Sequence, residues 1–291
     1  MASCWMCNSK NLIQLSQKSV VDELKPKDLK ISDFQYGLSL ARFRCSDCSF
    51  VFCPTATDTL DAYSEMIDLD YAVDSDLRIL RARDIVKKVV HFKSDGLWLD
   101  VGAGSGELVQ ASSDAGFKST GLEPSRYLAK IAIELGRDVL QESLLNYNSG
   151  DVNVISFIDV IEHVENPREL LSKAISLLTP DGVLVIITPD ISSLAARVFR
   201  NYWWHIRPAH IGYFSKATLK QLLDELNLQE LSISRPPRTF HGEYLATRLS
   251  VYLPAPISSA IKRILSNTIL RFNLYDELMV IATPTRIRVV E

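Results

Sequence analysis

The fold class this sequence predicts is a doubly wound α/β sheet of seven strands, preceded by a small N-terminal module. Three observations carry the prediction. Strand-like and helix-like apolar periods alternate from residue 97 to residue 283. The five cysteines sit at 4, 7, 45, 48 and 53, leaving none in the last 238 residues, so they mark off one region of the chain. A glycine-rich turn falls where the first strand of the alternating region meets its helix. With 47% hydrophobic and 23% charged residues, 12 Gly and 12 Pro, the 291-residue chain has a globular composition, which excludes collagen-like, disordered and disulfide-scaffold classes.

In chain order, Cys4-Trp-Met-Cys7 and Cys45-Ser-Asp-Cys48 come first, two C-x2-C pairs. This spacing lets two thiolates on one tight turn converge on a tetrahedral zinc ion, and two such turns fill all four positions, which makes the metal structural. An extended segment over 33–44 is expected to bring the second turn back beside the first. A segment of about 55 residues with few large aliphatics would draw much of its folding free energy from the metal. Cys53, before Pro54, needs no ligand role. The chain opens without a basic stretch followed by an apolar one, and its longest aliphatic run, 183–187, is far short of the roughly 20 residues that cross a bilayer. A cytoplasmic protein with reduced thiols and no transmembrane segment is expected.

The alternating region follows. Ser75 can cap a helix carrying Leu77, Leu80, Ile85, Val86, Val89 and Val90 on one face and ending near Asp95-Gly96. Leu97–Val101 reads as a buried strand, 107–115 as a helix closed by Gly116, Lys118–Leu122 as a strand, and 125–135 as a helix closed by Gly136. A weak strand near Val139 precedes a clear one at Val152–Ile158. Asn166 and Pro167, as cap and first helical residue, start a helix that runs to a Pro180-Asp181-Gly182 turn. Residues 183–188, all apolar but the last, suit a parallel strand covered on both faces. Ser215 caps a helix with Leu219, Leu222, Leu223 and Leu226 inward, and 228–233 and 278–282 complete seven strands. Between the last two, 254–272 reads as an amphipathic helix. The predicted division is a zinc-ribbon module over 1–55, a helical linker and cap over 56–95, and a main domain over 96–291 with a helical insertion at about 241–272.

The central motif is Asp100-Val101-Gly102-Ala103-Gly104-Ser105-Gly106-Glu107. Glycines at a strand-to-helix turn let the backbone approach a ligand closely, and the helix N-terminus offers free N–H groups, so a nucleotide-like ligand is expected. Glu123, just beyond the next strand, is placed to accept both hydroxyl protons of a ribose. A dinucleotide fingerprint would need glycine where Glu107 stands, beside a pyrophosphate that a carboxylate repels.

The D-x-G-x-G-x-G order resembles motif I of class I S-adenosylmethionine-dependent methyltransferases. Leu122-Glu123-Pro124-Ser125 is similar to that superfamily's ribose-binding segment, Asp159-Val160-Ile161-Glu162-His163-Val164 to its fourth-strand motif, and Leu178-Thr179-Pro180-Asp181-Gly182 to its L-x-P-G-G turn, with Asp for one Gly. The resemblance implies a Rossmann-like methyltransferase sheet that binds S-adenosylmethionine through Asp100, Gly102, Gly104, Gly106, Glu123, Pro124, Ser143, Leu144 and Asp159. Ser143 and Leu144 stand where the superfamily usually places an acid or small residue against adenine. Over the whole chain, the Cys4, Cys7, Cys45, Cys48 ribbon, a linker with Tyr63 and Tyr71, and the stretch Trp203-Trp204-His205-Ile206-Arg207-Pro208-Ala209-His210-Ile211-Gly212-Tyr213-Phe214-Ser215 resemble bacterial methyltransferases of small molecules, often in sugar, polysaccharide or secondary-metabolite pathways.

Methyl transfer needs an aligned nucleophile and, for some acceptors, a base. His163 and His210 lie at carboxyl ends of strands, where ligands bind in open α/β sheets, and histidine titrates near working pH. His163 could instead serve the turn through Glu162 and Asn166, and His210 could orient its own aromatic loop. With 32 Lys and Arg against 35 Asp and Glu, no long-range positive field gathers nucleic acid, so a small-molecule acceptor is expected. An RNA methyltransferase docking through its ribbon and a non-catalytic cofactor-binding protein are the alternatives.

Overall fold

The apolar runs of the alternating region do form one seven-stranded sheet. It was traced in a computed structural model that describes residues 2–16, 24–32, 37–54, 59–71, 75–250, 253–266 and 268–285. Its strands are β1 (Leu97–Val101), β2 (Lys118–Leu122), β3 (Val139–Leu140), β4 (Val152–Ile158), β5 (Leu178–Pro189), β6 (Leu228–Ser234) and β7 (Glu277–Pro284), in the spatial order β6-β7-β5-β4-β1-β2-β3. All neighbours are parallel except β7, which runs antiparallel to both β5 and β6. The order reverses between β1 and β4, and the crevice outside their carboxyl ends is where such sheets take ligands.

Helices α1 (Ser75–Val89), α2 (Glu107–Asp114), α3 (Arg126–Glu134), α4 (Pro167–Leu177) and α5 (Lys216–Glu225) flank the sheet. The expected caps form: Ser125 Oγ accepts from Leu128 N, Asn166 Oδ1 from Glu169 N at 3.2 Å, and Ser215 Oγ from Thr218 N at 3.2 Å. Removing one such acceptor costs about 1 kcal/mol. Helix α1 stops at Val89, earlier than its apolar period suggests, and Ser75 donates its hydroxyl to Glu107 Oε1 at 3.0 Å.

Two segments differ from the sequence pattern. The Pro180-Asp181-Gly182 turn is absorbed into β5: Val152 pairs with Leu178 and Val154 with Val183, so 179–182 bulge from a continuing strand. The expected helix over 254–272 is a helix at Ala255–Leu265 followed by a strand at Ile269–Phe272, paired antiparallel with Arg238–His241. The helix buries none of its residues, so no apolar face holds it longer, while Phe272 meets Phe240 across the ladder at 5.2 Å between ring centroids. The insertion therefore contains this ladder and a helix at Gly242–Leu249 besides the expected one.

The N-terminal strands Leu12–Ser16, Arg42–Cys45 and Val51–Phe52 form an antiparallel sheet, to which Gly212–Tyr213 of the main domain adds a fourth strand. Of the extended segment expected over 33–44, residues 33–36 lie outside the described residues and the strand is confined to Arg42–Cys45. Cys4, Met6, Phe50 and Phe52 belong to the same buried cluster as Leu99, Phe157, Leu171 and Phe214. The module thus compensates for its few aliphatics by sharing the core of the domain as well as by its cysteines. Burying Phe50 and Phe52 contributes about 1.5–3 kcal/mol each. Among the described residues no helix is long and apolar enough to cross a membrane.

Candidate active site

At the carboxyl end of β1 the chain must turn at once into α2, and the turn uses left-handed glycines: Gly102 at φ +71° and Gly104 at φ +57°. A Cβ on Gly102 would lie 2.6 Å from Val160 Cγ2, and one on Gly104 would lie 2.3 Å from the Tyr71 hydroxyl. The turn is therefore a cradle whose floor only glycine fits. Gly104→Ala is expected to combine backbone strain of about 1 kcal/mol with this collision and to lower stability by at least that amount; chemical denaturation checks it.

Two acids lie under the cradle. Asp100 Oδ1 accepts from Ser156 Oγ at 2.6 Å, and Ser156 in turn accepts from Trp98 Nε1 at 2.9 Å. Glu123 takes the N–H of Gly104 on one oxygen at 2.8 Å and that of Ser125 on the other at 2.7 Å. Burial raises both carboxyls to about 7; Ser156 partly offsets this at Asp100, and the two backbone donors and Tyr63 do so at Glu123. Glu107, which the pyrophosphate argument turns on, accepts from Ser105 Oγ at 2.7 Å and pairs with Arg78 Nε at 3.0 Å. Arg78 also covers the Tyr71 ring at 3.8 Å, tying the linker to the turn.

One cavity of about 610 Å³ opens beside the cradle. Asp100, Gly102, Gly104, Pro124, Ser143 and Leu144 line it, and so do Asp159, His163 and His210. Two expected contacts are not on its wall. Gly106 faces the side chains of Arg137 and Val139, 3.0 and 3.1 Å from where a Cβ would stand, because the chain has already turned into α2. Glu123 is fully buried, with Tyr63 between it and the cavity.

Of the lining imidazoles, His163 places Nδ1 2.7 Å from the Ala209 carbonyl, so Nδ1 carries the proton and Nε2 the lone pair. This contact replaces the turn role considered for His163 with Glu162 and Asn166. The His163 and His210 rings meet edge to face, with centroids 4.8 Å apart, and His205 stacks on His210 at 5.7 Å. Burial, with Arg207 nearby, holds His163 down to about 4 and His210 well below its usual value, so both are neutral at pH 7. Between these imidazoles and β5, Glu162 Oε2 accepts from Thr188 Oγ1 at 3.0 Å.

Beside them lies an ion network that no local sequence pattern announces, built around the buried Glu277. Arg81 of α1 pairs with Asp159 at 2.8 Å and Glu277 at 3.2 Å, and Arg238 pairs with Glu277 at 2.8 Å. These guanidiniums hold Asp159 below the usual carboxylate range, and Asp159 itself sits at φ +56°. Arg81 lies four residues from Leu77 and from Ile85, on the stripe that α1 buries. Arg81→Ala is expected to destabilise the fold by about 1–3 kcal/mol, because buried Glu277 keeps only Arg238 and the partly exposed Asp159 loses its guanidinium; chemical denaturation measures it.

The four-cysteine cluster lies at the first turn of the N-terminal module and the turn after Arg42–Cys45, with Cys4 and Cys45 buried. Cys4 and Cys48 Sγ are 3.5 Å apart, as are those of Cys7 and Cys45, and all four ligand atoms lie within 4.8 Å of one another. A zinc tetrahedron with bonds of about 2.3 Å has sulfur–sulfur edges of about 3.8 Å, so the donor set fits zinc. Cys53 is buried elsewhere, with its Sγ directed at the Leu40 carbonyl at 3.9 Å.

The sequence profile of the methyltransferase domain family matches residues 75–233, more than half of the chain. The chain is 32% identical over 116 residues to the ubiquinone biosynthesis O-methyltransferase of Haemophilus ducreyi, covering 34% of this chain and 49% of that one. It is 31% identical over 99 residues to that of Caulobacter sp., covering 31% and 39%. The chain thus spans about two fifths to a half of the length of these curated relatives. A SAM-dependent methyltransferase from Archaeoglobus fulgidus superposes with a TM-score of 0.53 at 22% identity, covering 74% of this chain and 100% of the other, and so shares the fold.

Proposed function

The chain belongs to the methyltransferase domain family, and from that premise we propose that it moves a methyl group from S-adenosylmethionine to an oxygen of a small-molecule acceptor. The observation that carries this reading is that one cavity joins the glycine cradle to two neutral histidines. Its volume of about 610 Å³ suits a small ligand rather than a polymer. The curated relatives are named O-methyltransferases, which favours oxygen as the nucleophile.

In this reading Gly102 and Gly104 admit the methionine end of the donor, Asp100 borders it, Ser143 and Leu144 flank the adenine, and Glu123 accepts the ribose hydroxyls. Glu123 keeps lone pairs beyond those used by Gly104 and Ser125, and Tyr63 gives up its hydrogen bond when ribose arrives. The bound donor supplies an electrophilic methyl carbon and a thioether leaving group. The chain aligns an acceptor hydroxyl in line with that carbon and offers its proton an imidazole lone pair, on His163 Nε2 or on His210. Residues 1–55 then form a zinc-held module through Cys4, Cys7, Cys45 and Cys48, residues 56–95 cap the site, and 96–291 bind the donor.

Labelled S-adenosylmethionine offered with sugar, polysaccharide-precursor and secondary-metabolite alcohols should label one acceptor class. His210→Ala should lower that rate by about 10²–10⁴-fold while leaving S-adenosylhomocysteine affinity unchanged. Undiminished transfer in the variant removes His210 from the chemistry.

A further inference from the structure

Because β7 runs antiparallel to the strands beside it, its first residues lie at the edge where the parallel strands end. Glu277 pairs with Pro189 of β5, and the residue before it, Asp276, accepts from Asp190 N on its carbonyl at 2.8 Å. The backbone of Asp276 is thus fixed next to the loop that carries the histidines. Its carboxylate is 2% exposed and meets that loop twice: Oδ2 accepts from Trp203 Nε1 at 3.4 Å and lies 3.3 Å from His205 Nε2. The His205 nitrogen is within ion-pair range but not aligned as a hydrogen bond, the loose geometry that catalytic pairs show before ligands bind.

We propose that Asp276 is a positioning residue for methyl transfer, holding His205 and Trp203 so that the His205 ring supports His210 as the base. His205 lines the cavity and Asp276 does not, so the carboxylate acts through the ring. The Trp203 indole meets His205 edge to face at 4.9 Å, and His205 in turn stacks on His210 at 5.7 Å with the planes 18° apart. One carboxylate therefore fixes a stack of three rings that ends at His210.

The other acids around these imidazoles are committed or neutralised. Asp159 pairs with Arg81, Glu277 with Arg81 and Arg238, and burial raises Glu162 well above the usual carboxylate range. Burial acts on Asp276 too, but His205, Arg238 and Trp203 outweigh it and keep the carboxyl ionised. The proposal rests on the reading of His210 as proton acceptor and deepens it. As the bond from acceptor oxygen to methyl carbon forms, the carbon–sulfur bond breaks, its electron pair stays on sulfur, and the hydroxyl proton goes to His210. The positive ring so formed stacks on His205, which has the Asp276 charge at its edge, as an orienting carboxylate stabilises the imidazolium of a triad.

The test uses full-length protein, S-adenosylhomocysteine and the alcohol labelled in the acceptor panel. Asp276→Asn keeps the size of the side chain and an oxygen for Trp203 but removes the charge. It should lower kcat by about tenfold or more, with KM and S-adenosylhomocysteine affinity unchanged. His205→Ala should act alike, and the double variant should be no slower than the slower single one, since both changes work through one ring. Undiminished kcat in Asp276→Asn, a change confined to KM, or losses that multiply in the double variant overturn the proposal. A second readout needs no acceptor. Nuclear magnetic resonance of the ring nitrogens in the S-adenosylhomocysteine complex should find the His205 proton on Nε2, facing Asp276; a proton on Nδ1 alone overturns the pairing. If no alcohol is labelled, the methyltransferase reading fails, and the ring spectra still decide the pair.

Discussion

Glu123→Ala is expected to weaken S-adenosylhomocysteine binding about a hundredfold or more. Two ribose hydroxyls bonded to one carboxylate, at about 1.5–3 kcal/mol each, supply at least that factor. The same oxygens hold Gly104 N at 2.8 Å and Ser125 N at 2.7 Å, so alanine also loosens the cradle. Glu123→Gln keeps the shape and one acceptor oxygen, and should fall between the native protein and alanine. The native affinity should depend on pH. Burial raises Glu123 to about 7, and the ionised form is the better ribose acceptor, so affinity should fall as pH drops below about 7, by up to about tenfold per unit. The glutamine variant should lose that dependence. Stability without ligand has the opposite sign. A carboxyl raised above its unfolded value binds more protons in the native state, so its contribution is lost as pH rises from about 4.5 to about 7. Calorimetry between pH 5 and pH 8 tests the binding half; a flat profile in the native protein rejects Glu123 as the ribose ligand.

Removing zinc should have the second largest effect. Structural zinc sites contribute about 10 kcal/mol or more to folding of the module that holds them, comparable with the whole stability of a typical domain. Cys48→Ser should reduce metal content well below one zinc per chain and lower the melting temperature by about 10 °C or more. Native protein purified without chelator but holding no zinc would contradict the assignment. The loss should reach the cavity. Val51 and Phe52 pair with Tyr213 and Gly212, Cys53 N donates to the Ile211 carbonyl at 2.8 Å, and Gly37 N donates to that of Ile206 at 2.8 Å. These bonds grip the segment bearing His205 and His210, so Cys48→Ser should lose turnover even where it remains folded.

The parts of the molecule written in local pattern were legible in the sequence. Ser125, Asn166 and Ser215 announce helix starts because capping acts over three residues, and the glycine turn is recognisable because its strand and helix flank it directly. The buried aliphatic run 183–187 of β5 announces a strand inside the sheet. The ion network was hidden for the converse reason: Arg81 meets partners 78 and 196 residues away, and only the assembled fold brings them together. The insertion was misread as a single helix because Ile269, Leu270 and Phe272 fit an apolar helical stripe as well as a strand, and the ladder with Arg238–His241 decided between them. The burial of Glu123 beneath Tyr63 was likewise invisible, since the linker reaches the cradle only through the fold.

The central claim is that one cavity binds the methyl donor and aims it at the two histidines. A crystal structure with S-adenosylhomocysteine tests it most directly. The ribose hydroxyls should lie within hydrogen-bonding distance of Glu123 and the sulfur between the Gly102–Gly104 turn and the imidazoles of His163 and His210. Failure to bind at saturating concentration, or a sulfur turned away from both histidines, would contradict it.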